Sequence, residues 1–395
     1  MSGLSGPERA LCDAIAERSA ALLDDLQQNV ETPTGGNNAE AIEATRSRFL
    51  NRLAALGAEH EAFPGDPRPA WIGPSDPVPG STIARRLGRG GKRVLIAGHL
   101  DTVHDPSGPF RELTLRGDGT AAGPGCVDMK GGLVIALHAL EALHQVGADV
   151  SWSFFLNADE ETGTYHSDKA LRAVSAEHDF GIALEPALAG GELAIERAGS
   201  GQFMVEVFGT SAHVGRAFTD GVSAVNKLAE VLTRVAAMPD PDRGKILNVG
   251  PIKGGEVTNA VPDYAAAWGN VRFPDQSVAD EIVAELNGLV TADDAMPRVV
   301  LHRSFNRPAK PLIPETEALG LRARAAAEDL GQSLPFASTG GVCDGNIMQD
   351  AGLPTIDTMG VRGGGLHTPD EWIELSSLVE RCQLLAVLLH RLGQE

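Results

Sequence analysis

Apolar positions along this chain follow two different periods, and the changes between them mark out its elements. From Pro7 to Asn29 and from Asn38 to Leu56 they recur three and four residues apart. This predicts two amphipathic helices joined by the turn Thr32-Pro33-Thr34-Gly35-Gly36. Unbroken apolar runs follow at Arg93 to Ala97, Trp152 to Leu156 and Ile182 to Leu184, the texture of strands covered on both faces. Met129 to Gln145 lacks proline and carries Leu133, Ala136, Leu137, Leu140 and Leu143 on one stripe, which predicts a buried helix. Open α/β sheets place their sites at the carboxyl ends of such strands.

Around Arg197 the texture changes. Gln202 to Thr210 alternates, Gly221 to Ala237 is helical, Lys245 to Ile252 and Tyr264 to Phe273 are strand-like, Ser277 to Val290 is helical, and Val299 to Arg303 closes the series. That order predicts a ferredoxin-like α+β unit, one antiparallel sheet with two helices, inserted at residues 197–307. The remainder, 1–196 with 308–395, is expected to be an α/β unit with a mixed sheet and helices on both faces. Glu315 to Leu330, Thr355 to Met359 and Leu375 to Leu392 supply its later helix, strand and terminal helix. The glycines at 88–91 and 363–365 read as turns, since no Lys-Ser or Lys-Thr follows them.

At 395 residues the chain exceeds the usual size of a single core, consistent with two domains. A net charge of -20 repels phosphate backbones and anionic lipid, so neither nucleic acid nor a membrane is an expected partner. No run of about 18 apolar residues appears. Met1 to Leu26 has neither a basic leader nor an apolar stretch, so no secretory signal is expected. Cys12, Cys126, Cys343 and Cys382 are far apart, which argues against a disulfide framework or a thiolate zinc site and favours a reducing, cytoplasmic setting. Cys126 and Cys343 read as small buried side chains.

The chemistry lies in five short pieces: His99-Leu-Asp101, Asp128-Met-Lys-Gly-Gly, Asp159-Glu160-Glu161, Glu185-Pro and His367-Thr-Pro. Each has an ordinary reading. Asp128 before a helix could be an N-cap, and three adjacent acids could be a solvated loop. Yet four motifs at the ends of buried strands are poorly explained by chance, and adjacent acids repel unless a cation holds them. Three carboxylates and two imidazoles are the donors that a pair of divalent ions takes. Asp128, Glu161 and Glu185 with one hydroxide would balance two divalent cations, leaving Glu160 outside the coordination sphere. Asp101 is placed to accept the other imidazole N–H of His99.

These motifs, with Ser211-Ala-His213, resemble the zinc metallopeptidase and deacylase family of glutamate carboxypeptidase, acetylornithine deacetylase, succinyl-diaminopimelate desuccinylase and aminoacylase; the glutamate carboxypeptidase branch is the most similar. The resemblance implies that His99, Asp128 and Glu185 hold one Zn2+, that Asp128, Glu161 and His367 hold a second, and that Mn2+ or Co2+ can substitute. It implies Glu160 as the base acting on a metal-bridging water, with Asp101 orienting His99. It implies a lid and dimerisation role for the insertion, making a homodimer and bringing His213 toward a catalytic centre, commonly the partner's. Asn259 and Arg272 match lid residues that grip a substrate carboxylate, although a turn and a surface ion pair would explain them as well. The implied reaction is hydrolysis of the amide bond in an N-acyl amino acid or short peptide with a free carboxylate. N-carbamoyl amidohydrolase chemistry and a non-catalytic binder on the same fold are the alternatives.

Overall fold

The computed structural model describes residues 3–35, 38–73 and 78–395. Strands Ser151–Asn157, Arg93–His99 and Phe180–Ala183 lie side by side and parallel. Thr355–Ile356 adds a parallel strand on one side, while Thr82–Arg86 and Glu59–Ala62 extend the sheet antiparallel on the other. Successive side chains of a strand point to opposite faces, so a run without alternation means that both faces are covered. Val94 and Ile96 join one core with helices Gly131–Gln145 and Ser376–Leu392, whereas Leu95 and Ala97 join another with helices Asp168–Ser175 and Asp344–Asp350. Helix Gly131–Gln145 begins against the strand-end loop that carries Glu185. A Cβ at Gly132 would come within 2.3 Å of the Leu184 carbonyl oxygen, so glycine permits that approach.

The second sheet runs Ile246–Gly254, Tyr264–Phe273, Gly199–Phe208, Arg298–Arg307, antiparallel throughout. Helices Ala224–Val235 and Gln276–Asn287 pack on it through Leu228, Val231 and Ile282 against Phe203, Val205 and Ala267. This is the ferredoxin-like order read from the sequence, interposed in a mixed-sheet α/β fold. Where the chain passes into and out of it, Arg197 and Lys310 exchange backbone hydrogen bonds of 2.9 Å.

Several expectations change. The first predicted helix is two, Gly6–Glu17 and Ser19–Glu31, broken at Arg18, where a tightened turn lets Leu11, Ile15, Leu22 and Leu26 all reach one core. The helix expected from Met129 starts at Gly131, because Cys126–Lys130 forms a separate tight turn with non-helical backbone at Asp128 and Met129. Asp128 is therefore not an N-cap. The strand expected to reach Met359 ends at Ile356, and Gly363–Gly364 pairs with Trp372–Glu374 instead of forming a turn. Gly36, the end of the first predicted turn, lies outside the described residues.

Candidate metal centre

Parallel pairing sets the site. His99 ends its strand opposite Asn157 of the neighbouring strand, and Ala97 lies opposite Ala183, so the segments carrying Glu160, Glu161 and Glu185 emerge beside His99. Asp128 sits in the turn before the following helix, and His367 comes from the hairpin tip between Gly363–Gly364 and Trp372–Glu374. The two oxygens of Asp128 face different imidazoles. Oδ1 is 3.3 Å from His99 Nε2, which is itself 3.9 Å from Glu185 Oε1. Oδ2 is 3.3 Å from His367 Nε2, which is also 3.3 Å from Glu161 Oε2. The five residues proposed as ligands thus meet in two groups joined by Asp128.

The other side of His99 faces Asp101 through both backbone and carboxylate. Nδ1 lies 2.9 Å from the Asp101 carbonyl oxygen and 3.5 Å from its carboxylate, whose Oδ2 accepts from the Glu161 N–H at 3.0 Å. Asp101 thus meets His99 most closely through its carbonyl, while its carboxylate lies near the same nitrogen and accepts from the Glu160–Glu161 loop. Asp159 departs from the expected acidic trio. It turns into the protein, accepting from Ser167 Oγ at 2.5 Å and the His166 N–H at 2.6 Å.

The donor set fits a metal. His99 Nε2, Asp128 Oδ1 and Glu161 Oε1 are buried without a hydrogen-bond partner, and these three residues can each offer a ligand atom within 4.8 Å of the others. Acceptors aimed at one another repel unless a cation or protons intervene. Without a cation, protons take that role. Burial pushes the Glu161 carboxyl up to about 7 against the pull of His367, and burial with the Asp128 charge raises Glu185. Hydrogen bonds to Asp128 and Glu161 raise the His367 imidazole to about 10; at His99 burial opposes a rise, but Asp101 and Asp128 override it. Metal ligands bind deprotonated, so metal uptake here must expel protons.

Beside this cluster opens a cleft of about 580 Å3 lined by Glu160, Glu161, His367, Arg68, Arg272 and Arg307. A second chamber of about 360 Å3 shares Glu160, Glu161 and His367 and adds Glu185, Leu188 and Leu366. Arg307, at the end of the second sheet's last strand, donates from Nη1 to Glu160 Oε1 at 2.6 Å and from Nη2 to the Glu160 carbonyl at 2.7 Å. Glu160 Oε2 has no hydrogen bond among the described residues. Arg272 is held by Asn270 Oδ1 at 2.7 Å and by Ser200 Oγ, with no carboxylate in ion-pair range among the described residues; burial and the neighbouring Arg307 charge lower its pKa. That is a guanidinium lacking an anion, in the cleft. His213 and Asn259 are elsewhere. Both are exposed and joined through the Val214 N–H to the Asn259 carbonyl at 3.0 Å, and neither lines the two chambers. Sequence reasoning missed Arg307, although it stands in Asn-Arg-Pro at the end of the predicted insertion, and Arg68, for which there was no signal.

Residues 95–391 match the family described as peptidase family M20/M25/M40. The chain belongs to that family. Carboxypeptidase G2 of Pseudomonas sp. strain RS-16 is 28% identical over 98% of this chain and 92% of its own length. A succinyl-diaminopimelate desuccinylase of Methylobacterium radiotolerans is 30% identical, covering 79% of this chain and 83% of its own. Among solved structures, a tripeptidase of Staphylococcus aureus superposes with a TM-score of 0.77 at 21% identity, covering 95% of this chain and 99% of that one. A dinuclear metal-binding peptidase of Bacillus subtilis gives 0.66 at 15% identity, covering 96% and 99%. These two structures share the fold. As an M20/M25/M40 chain with such relatives, the protein is a hydrolase, and the family is metal-dependent. No helix among the described residues is long and apolar enough to cross a membrane.

Proposed function

We propose that the chain is a di-metal peptidase or deacylase that hydrolyses the amide bond of N-acyl amino acids or short peptides with a free C-terminal carboxylate. The observation that carries this reading is the placement of Asp128, with one oxygen toward His99 and the other toward His367 at 3.3 Å each. His99, Asp128 and Glu185 would hold one ion and Asp128, Glu161 and His367 the other, zinc by their donor types, with manganese or cobalt as substitutes. When bound, such ions would supply Lewis acidity, which lowers the pKa of a coordinated water from about 16 toward roughly 7.

The chain's own groups do the rest. Glu160, fixed through Oε1 by Arg307, takes the water's proton on Oε2 and returns it to the departing amine. Arg272 grips the substrate carboxylate, which supplies the anion that guanidinium lacks. The second sheet with its helices, residues 197–307, acts as a lid on the body formed by 1–196 and 308–395. His213 and Asn259 serve the partner's site in a homodimer built through the lid, His213 stabilising the oxyanion. The relatives named as carboxypeptidase and desuccinylase support this substrate class.

The test strips the metals, restores zinc, manganese or cobalt, and follows amine release from a panel of acyl amino acids and dipeptides. Two equivalents bound and activity regained on at least one substrate class are expected. A chain that takes up no metal, or is inert on the whole panel when loaded, overturns the reading. For His213, mixing a His213→Ala chain with a Glu161→Ala chain is expected to regain activity in the heterodimer; without recovery, action across the interface is excluded.

A further inference from the structure

Glu371 has no exposed surface and stands four residues beyond His367, yet no step of the proposed reaction touches it. Both of its oxygens are engaged. Oε1 accepts from the N–H groups of Val127 at 2.9 Å and Asp128 at 3.0 Å; Oε2 accepts from the Gly125 N–H at 3.0 Å and lies 2.5 Å from His104 Nε2. Gly125 has a φ of 70°, a left-handed conformation that glycine adopts freely, and the turn it starts aims three N–H groups at one carboxylate. This is an anion-binding nest whose anion is supplied by the protein itself.

The carboxylate therefore ties together three loops that carry proposed ligands. His104 follows the His99 strand, Gly125 to Asp128 is the turn of the shared ligand, and Glu371 closes the hairpin tip that presents His367. These loops depend on that tie unequally. His99 is 1% exposed and anchored in a central strand, whereas the His367 side chain is 54% exposed on a loop with its φ at 62°.

We infer that Glu371 is a positioning residue for the metal centre: it fixes the Asp128 turn against the His367 loop, so that one carboxylate can face both imidazoles. The inference rests on the proposal that these residues hold metal. Glu371 binds no ion and moves no proton, since its lone pairs are spent on donors. Loss of such an outer partner typically weakens metal binding about 10- to 100-fold. Here the loss falls mainly on the ion held by His367.

The experiment titrates zinc or cobalt into metal-free wild-type, Glu371→Gln and His104→Phe chains against a chromogenic chelator, with thermal unfolding of each metal-free chain alongside. Gln keeps one acceptor for Val127 and Asp128 but sets an N–H against the Gly125 N–H; Phe removes only one of the four contacts. The expected result is two stepwise constants in the wild type, the weaker falling about 10- to 100-fold in Glu371→Gln, the tighter falling less, and His104→Phe changing the ratio in the same direction. A general loss of folding lowers both constants together and leaves their ratio alone. Unchanged constants, or an equal fall in both, overturn the inference. A wild-type chain that takes up no metal overturns the underlying proposal instead.

Discussion

Glu160→Gln is expected to retain both metals and lose turnover by about 10²- to 10⁴-fold, the usual contribution of a positioned general base. Gln is the informative replacement because of Arg307. That guanidinium is buried and bound to Glu160 at 2.6 Å, so Glu160→Ala would strand a buried charge and lower stability by about 3–5 kcal/mol, confounding any kinetic loss. Gln keeps an oxygen to accept from Arg307 and loses the capacity to hold a proton; because it also removes the counter-charge, thermal unfolding is measured alongside to separate a fall in stability from a fall in turnover. Metal content, kcat and KM measured together decide the matter. Full occupancy with kcat near wild type would remove Glu160 from the mechanism, while lost metal would recast it as a ligand.

Of the proposed ligands, His99, Glu161 and Glu185 are legible in the sequence because each is a strong donor at or just beyond the end of a run whose lack of alternation already announces a buried strand, whereas Asp128, in a turn, and His367, at a hairpin tip, are marked by their short motifs alone. The two later central strands read correctly for the same reason, as does Tyr264–Phe273, whose bounds match the structure. Glu59–Ala62 is not legible. It is an edge strand with every residue exposed, so no hydrophobic pattern marks it. Arg307 and Glu371 escape notice for a different reason. Glu160 lies 147 residues from Arg307, and three of the four partners of Glu371 are backbone N–H groups some 240 residues away, which no side-chain motif records. Asp159 shows the opposite error: grouped by sequence with two acids of the cleft, it is claimed by Ser167 and by the backbone of His166. Adjacent residues leave a turn in different directions, and spacing alone does not say which one the site keeps.

Asp357→Asn is expected to lower stability by about 3–5 kcal/mol, the cost of removing the anion from a buried ion cluster. Asp357 is fully buried; its Oδ1 accepts from Arg197 Nε at 2.9 Å and lies 2.8 Å from Nη2, and its Oδ2 is 3.4 Å from the equally buried Lys310 Nζ. Arg197 and Lys310 are the residues at which the chain enters and leaves the second sheet, so one carboxylate clamps both crossings. Asn preserves the shape but leaves two cations without a counter-charge in a site closed to water. The urea midpoint of the first unfolding transition should therefore fall with its slope unchanged, and Lys310→Met added to Asp357→Asn should recover part of the loss by removing one of the stranded charges. A shift of less than about 1 kcal/mol would mean that the cations find other partners or water. Arg197 also lines the chamber that contains Glu185. If the clamp holds the second sheet's crossings in register with the proposed metal centre, the stabilised double variant should fold well and still show a raised KM, separating the clamp's role in placing that sheet from its role in keeping the chain folded.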